Sequence, residues 1–240
     1  MAAFSYPRFF AHRGGGACAP ENTLAGIALA ARLGYRGVEF DVMLSQDGVP
    51  LLIHDETLAR TTDGSGEVGQ TSLAHLRSLD AGSRFHPAYA GTAIPTLAEA
   101  LALCARLGLI ANVEIKPAAG QAVPTGAAVG RLLAGCGAEA VLLSSFAAEA
   151  LAAARREAPQ LPRALLFEAV PEDWHRRLAD LDALALHCAA ERMTPPLAAD
   201  LAAAGRPWAC YTVNRPAQAE QLFALGAAAL FTDRLDLFDA

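Results

Sequence analysis

Seven side chains in the first half of the sequence have the types and spacing of a reaction centre: His12, Arg13, Glu39, Asp41, His54, Glu114 and Lys116. Glu39 and Asp41 are separated by a single residue, as are Glu114 and Lys116. In an extended strand each such pair projects from one face. Three carboxylates without a thiolate form the ligand set of a hard divalent cation, and they repel one another unless such a cation sits between them. Arg13 and Lys116 suit an anion, phosphate above all. Lys116 is the only lysine of the chain, every other basic residue being arginine. His12 and His54 titrate near neutrality and suit proton transfer as general acid and base. Cleavage of a phosphodiester uses all of these parts: a Lewis acid, positive charge on the non-bridging oxygens, a base for the nucleophile and an acid for the leaving alcohol. Taken singly, each residue has a plainer reading as a surface ion pair, a structural histidine or a solvated arginine. Their convergence is what points to metal-assisted phosphodiester chemistry.

That convergence requires elements that carry the residues to one place. Nine short apolar runs read as strands: 8–12, 37–42, 50–54, 110–116, 140–146, 162–167, 183–188, 207–213 and 228–233. Several end in polar or charged residues, where ligand sites lie in parallel α/β folds. Helical patterns fill the gaps. Asn22 or Thr23 caps a first helix closed by Gly34, and Thr96-x-x-Glu99 is a capping box before a helix ended by Gly108. Three more helices are expected within 146–158, 195–205 and 215–226. Asp47-Gly48 is a hairpin signal too short for a parallel crossover, so the run 50–54 should lie antiparallel beside the second strand. A two-residue loop there would set His54 opposite Asp41. The remaining eight strands then close an α/β fold of the TIM (β/α)₈ barrel type, with an open doubly wound sheet as the alternative. The expected organisation is one domain over residues 1–240, in which the turn-rich segment 55–94 is an insertion over the barrel mouth.

Composition narrows the function classes. The net charge of −6 and the lack of a basic block disfavour nucleic acid as a partner. No apolar run is long enough for a membrane span, and no secretory signal is visible. Five scattered cysteines without a C-x-x-C pair argue against a disulfide framework or a zinc site, and for the cytoplasm. Gly14 to Ala19 fits a dinucleotide fingerprint, with acids following at Glu39 and Asp41. However, Pro20 and the cap at Asn22 or Thr23 start the helix too late for its N–H groups to meet a pyrophosphate.

The stretches "AHRGGG", "APENTLA", "VEFDV", "PLLIHDETLARTTDGSGEV", "LDAGS", "IPTLAEAL", "NVEIKP", "LLSSF", "YTVN" and "FTD" resemble the glycerophosphodiester phosphodiesterases. The resemblance is nearest to the cytoplasmic bacterial type associated with glycerol-3-phosphate uptake, and runs from about residue 5 to about residue 235. It implies a TIM barrel with a small insertion. His12 and His54 become the catalytic acid–base pair, Glu39, Asp41 and Glu114 the metal ligands, and Arg13 and Lys116 the phosphate-binding residues. The implied cofactor is one divalent cation, with Mg²⁺ favoured and Ca²⁺ or Mn²⁺ as alternatives. The implied substrates are small glycerophosphodiesters such as glycerophosphocholine or glycerophosphoethanolamine, cleaved to glycerol 3-phosphate and an alcohol. A related barrel phospholipase acting on lysolipid and a non-catalytic binding barrel are the alternatives. Tyr211 stands where many members carry Trp. Tyr211, Phe146, Trp174 and His187 are candidates for the mouth, with core packing as the plainer role of each. The "RTTDG" stretch and Asp233 are read as structural.

Overall fold

The structure, a computed structural model, describes residues 4–137 and 139–239. Among the described residues nine strands follow one another: β1 (Phe9–Ala11), β2 (Gly37–Leu44), β3 (Pro50–Leu52), β4 (Ile110–Ile115), β5 (Val141–Ser145), β6 (Arg163–Phe167), β7 (Ala185–Ala189), β8 (Trp208–Tyr211) and β9 (Ala229–Thr232). Their order is β1-β9-β8-β7-β6-β5-β4-β2-β3, and β1 also pairs with β2. That last pairing closes the other eight strands into a parallel ring and leaves β3 outside it, antiparallel to β2. The fold is therefore a TIM barrel, and the open sheet is excluded. Residues 1–3, 138 and 240 of the expected domain 1–240 lie outside the described residues.

The helices are α1 (Leu24–Arg32), α2 (Leu73–Leu76), α3 (Leu97–Leu107), α4 (Ala122–Leu133), α5 (Ala148–Glu157), α6 (Trp174–Leu181), α7 (Pro195–Ala203) and α8 (Pro216–Ala224). Thr23, not Asn22, caps α1, its hydroxyl accepting from the Gly26 N–H at 3.1 Å. The capping box at Thr96 and Glu99 forms as expected. Three helices go beyond the sequence expectation: the short α2 within the segment 55–94, α4 and α6. Helix α4 contains Gly126 and Gly130, both poor helix formers. A Cβ on Gly126 would lie 2.1 Å from the Ala150 carbonyl oxygen of α5. Here close backbone packing against α5 overrides propensity. Helix α6 buries Trp174, Leu178 and Leu181 along one face, which makes Trp174 a core residue and removes it from the mouth.

The hairpin differs from expectation by one residue. Leu52 pairs with Val42 and Leu51 with Met43, so Ile53, not His54, faces Asp41 and donates its N–H to the Asp41 carbonyl at 3.1 Å. The loop has three residues, Gln46-Asp47-Gly48, closed by the Ser45 N–H to Val49 carbonyl bond of 3.0 Å. Gly48 takes the left-handed conformation, φ +77°, that such loops require at their last position. His54 lies past the end of β3, where the chain leaves the ribbon. The segment that follows packs Leu58, Val68, Leu76, Ala81 and Ile94 against Met43 and Leu51 of the hairpin. It rejoins the ribbon where the Leu52 N–H donates to the Pro95 carbonyl at 2.9 Å.

At the N-terminal ends of the strands the barrel is filled. Phe4 and Tyr6 pack under Leu142, Ala164 and Ala185. Above them Phe10 stacks on Phe231 with ring centroids 5.0 Å apart, and the Tyr6 hydroxyl lies 3.1 Å from His187 Nε2. Space remains at the other end. Among the described residues no helix is long and apolar enough to cross a membrane.

Candidate active site

A cavity of about 280 Å³ opens at the C-terminal ends of the barrel strands, and all seven residues singled out in the sequence line it. Strand β2 turns Glu39 and Asp41 into the barrel, where they are 3% and 2% exposed. Strand β4 adds Glu114, in register with Asp41. One oxygen from each of the three carboxylates lies within 4.8 Å of the others. Burial, and then the facing charges of Asp41 and Glu114, push the Glu39 carboxyl well above its ordinary range. Burial and the Asp41 charge push Glu114 up to about 8. The Glu39 Oε1 atom is buried without a hydrogen-bond partner. An orphaned acceptor in a trio of mutually repelling carboxylates fits a divalent cation, whose charge removes the repulsion.

Asn22 orients Asp41 within this trio. Its backbone is left-handed, φ +56°, and its side chain donates to Asp41 Oδ2 at 2.9 Å while accepting from the Asp41 N–H at 3.0 Å. The sequence suggested only a helix cap at this position. Arg13 is also left-handed, φ +52°, and its N–H donates to Glu39 Oε2 at 2.8 Å. Its guanidinium reaches Glu21 with contacts of 3.2 and 3.3 Å, while its buried Nε has no hydrogen-bond partner. Lys116 Nζ lies 3.6 Å from Asp41 Oδ1 and also touches His54 Nε2.

Each histidine leans on a carboxylate. His12 Nδ1 is 2.7 Å from Asp233 Oδ1, and His12 Nε2 is 3.8 Å from Glu39 Oε2. Asn214 fixes Asp233 by donating to its Oδ2 at 3.0 Å and accepting its N–H at 2.8 Å. Burial alone would raise Asp233, but the His12 and Asn214 bonds and the His12 and Arg13 charges hold it below the usual carboxylate range. His54 Nδ1 is 2.6 Å from Asp55 Oδ1. Burial pushes the His54 imidazole down; Asp41 and Asp55 pull it back in part, against the charges of Arg13 and Lys116. Both carboxylates select the tautomer in which Nδ1 carries the proton and Nε2 is an acceptor. The sequence held a signal for each: Asp55 follows His54 directly, and Asp233 ends the ninth strand run.

The facing wall is apolar. Phe146 stands 51% exposed at the mouth, in edge contact with Tyr211 at 5.9 Å between centroids. The Tyr211 hydroxyl donates to the Phe167 carbonyl at 2.8 Å, which fixes its ring. His187 closes the floor, and burial pushes it down to about 3, leaving it neutral.

The glycine turn serves His12 and builds no dinucleotide cradle. The N–H groups of Gly14, Gly16 and Ala17 are taken by the carbonyls of Glu39, His12 and Asp233 at 2.8, 2.8 and 2.7 Å. Helix α1 begins only at Leu24. Gly16, at φ +53°, passes so close to Asp233 that a Cβ would lie 2.3 Å from its carbonyl oxygen. The turn thus lets β9 bring Asp233 up to the imidazole.

Comparison with known proteins agrees with this architecture. Residues 12–237 match the model of the glycerophosphoryl diester phosphodiesterase family. The chain is 35% identical to a glycerophosphodiester phosphodiesterase of Caldanaerobacter subterraneus subsp. tengcongensis, over 93% of this chain and 92% of that one. It is 39% identical to an Oleispira antarctica phosphodiesterase solved in complex with the product sn-glycerol-3-phosphate, with a TM-score of 0.91 over 95% of this chain and 93% of that one. An Agrobacterium tumefaciens glycerophosphodiester phosphodiesterase superposes with a TM-score of 0.80 at 28% identity, over 98% of this chain and 99% of that one. With the barrel, the carboxylate trio and these matches, the family model covering residues 12–237, the chain belongs to the glycerophosphoryl diester phosphodiesterase family.

Proposed function

We propose that the protein is a metal-dependent phosphodiesterase that hydrolyses glycerophosphodiesters, such as glycerophosphocholine or glycerophosphoethanolamine, to glycerol 3-phosphate and an alcohol. The observation that carries this reading is the convergence of three carboxylates within 4.8 Å, flanked by two histidines that each lean on an aspartate. The glycerol-3-phosphate bound to the Oleispira relative supports the substrate class. In this reading Glu39, Asp41 and Glu114 hold one divalent cation, Mg²⁺ before Ca²⁺ or Mn²⁺. When bound, it supplies Lewis-acid polarisation of the phosphoryl group.

The chain's own residues do the rest. Arg13 and Lys116 neutralise the non-bridging oxygens and orient the phosphate. His12 and His54 are the acid–base pair: one takes a proton from the nucleophile at Nε2, and the other gives one to the leaving oxygen. The nucleophile is water or the neighbouring glycerol hydroxyl, the second route passing through a cyclic phosphate. Phe146 and Tyr211 give the cavity an apolar wall on the opposite side, against which the substrate can rest. We assign the work to a single barrel domain, with residues 55–94 packed at its mouth and the cytoplasm as its location.

Release of glycerol 3-phosphate from glycerophosphocholine tests this, first after EDTA and then with Mg²⁺, Mn²⁺ or Ca²⁺ restored singly. The reading expects loss with chelator and recovery with at least one ion. Activity indifferent to EDTA would remove the cation from the carboxylates. Turnover of lysophosphatidylcholine in place of the soluble diesters would favour the phospholipase alternative.

A further inference from the structure

We propose that Arg60, on the segment between β3 and α3, is a positioning residue that sets His54 and Arg13 in register by holding the carboxylate behind each of them. The inference rests on the roles proposed above for those two residues. Its guanidinium bridges two carboxylates through two different edges. Nη1 and Nη2 donate to Glu21 Oε2 and Oε1 at 2.7 and 2.8 Å. Nε and Nη2 donate to Asp55 Oδ2 and Oδ1 at 2.5 and 3.0 Å. Glu21 also contacts Arg13, and Asp55 accepts from His54. A lone ion pair at a rim contributes little, but a doubly bidentate arginine inside a network is geometrically selective. An ammonium group cannot form both forks, so lysine is not an equivalent here.

The distances give the bridge a direction. Glu21 is 2.7 and 2.8 Å from Arg60 but 3.2 and 3.3 Å from Arg13. Arg60 therefore draws Glu21 off Arg13 and leaves the Arg13 charge for a phosphate. On its other edge Arg60 keeps Asp55 ionised and fixed behind His54 Nδ1, holding that carboxyl far below its usual range. Removing Arg60 has two separable effects. Asp55 loosens, which acts on turnover, and Glu21 closes on Arg13, which acts on substrate binding. The Arg60 side chain is 45% exposed, so its loss leaves no buried hole.

The test is steady-state release of glycerol 3-phosphate from glycerophosphocholine, with the activating cation present, for Arg60→Ala, Arg60→Lys, Arg60→Ala combined with Glu21→Gln, and His54→Ala. Arg60→Ala should lower kcat by roughly 10–100-fold, the usual cost of losing an orienting partner. It should raise KM about tenfold, the size of one weakened charge-assisted hydrogen bond. Adding Glu21→Gln should restore KM and leave kcat low, a split that general loosening of the fold does not produce. Arg60→Lys, with an unchanged melting temperature, should resemble Arg60→Ala more than wild type. Wild-type kcat and KM in Arg60→Ala and Arg60→Lys, with His54→Ala inactive, would overturn the Arg60 proposal alone. Full activity in His54→Ala, or no release by the wild-type protein, would overturn the underlying reading and this proposal with it.

Discussion

His12 and His54 line the same cavity as the three carboxylates, yet they are held by different kinds of support. His12 directly follows β1, and its partner Asp233 follows β9, the strand that pairs with β1 as the ring closes. Asn214, beyond β8, braces Asp233 from the next strand. That support is part of the barrel and comes from the far end of the chain. His54 is held by its sequence neighbour Asp55, and Asp55 by Arg60, all beyond the antiparallel ribbon. Its support is local and sits in the segment added to the barrel. One half of the proposed acid–base pair is thus built into the closure of the fold, and the other is attached to its rim.

The first way to break this comparison is to remove the histidines themselves. His12→Ala and His54→Ala should each lower kcat for glycerophosphocholine by roughly 10²–10⁴-fold, measured as glycerol 3-phosphate release. Near wild-type turnover in one variant would leave a single proton-transfer group and end the symmetry.

The partners should separate the two supports. Asp233→Asn and Asp55→Asn should each reduce kcat by about 10–100-fold. Thermal melting should tell them apart. Asp233→Asn, which disturbs the strand closure as well, should lower Tm by about 3–6 °C. Asp55→Asn, at the rim, should stay within about 1–2 °C of wild type. Equal melting losses would mean that the two aspartates are equally structural.

A pair of glycine variants sharpens the same contrast. Gly16→Ala drives a Cβ into the Asp233 carbonyl at a left-handed backbone position, and should cost about 2–3 kcal/mol together with part of the turnover. Gly48→Ala, in the hairpin that leads to His54, has nothing within 4 Å of its Cβ. It should cost only the positive-φ penalty of about 1 kcal/mol and leave turnover intact, as chemical denaturation and the activity assay would read.

The smallest expected effect is on stability, through the pH dependence that the carboxylates facing the two histidines impose. Glu114 has its ordinary value of 4.5 raised to about 8 in the metal-free fold. The folded state then keeps a proton that the unfolded chain has released, so stability from this group is present below about pH 4.5 and is lost as pH rises through about 8. Melting of the EDTA-treated protein should fall across that window. Adding the divalent cation should raise Tm more at pH 8 than at pH 5.5, because binding requires the ionised carboxylate. A Tm gain independent of pH would place the cation elsewhere.

Much of the fold and the line-up of the seven residues was legible because it depends on local rules. Pairs spaced by two share a strand face, caps and terminal glycines delimit α3, and Asp-Gly announces a hairpin. Helix α4 escaped because Gly126 answers to Ala150 on α5, a contact that local propensity does not register. The one-residue difference in the hairpin came from reading a two-residue turn where the left-handed Gly48 closes a three-residue loop. The cavity residues were recognised by chemical type, whereas Asn22, Asp233 and Arg60 were read as cap or scaffold. Their contribution lies in what they hold: Asn22 the carboxylate and the N–H of Asp41, Asp233 the imidazole that follows β1, and Arg60 two carboxylates at once.

The packed lower half of the barrel has a consequence for traffic. With Phe4 and Tyr6 beneath it and Phe10, Phe231 and His187 above them, the reaction chamber is a blind alley with its door at the strand ends. Whatever enters must back out the same way. When a diester is cut in such a chamber, the fragment nearer the door departs first and the fragment beyond it waits. The order of departure is then a property of how the substrate was seated, and the fragment that leaves last competes directly with the next molecule to arrive.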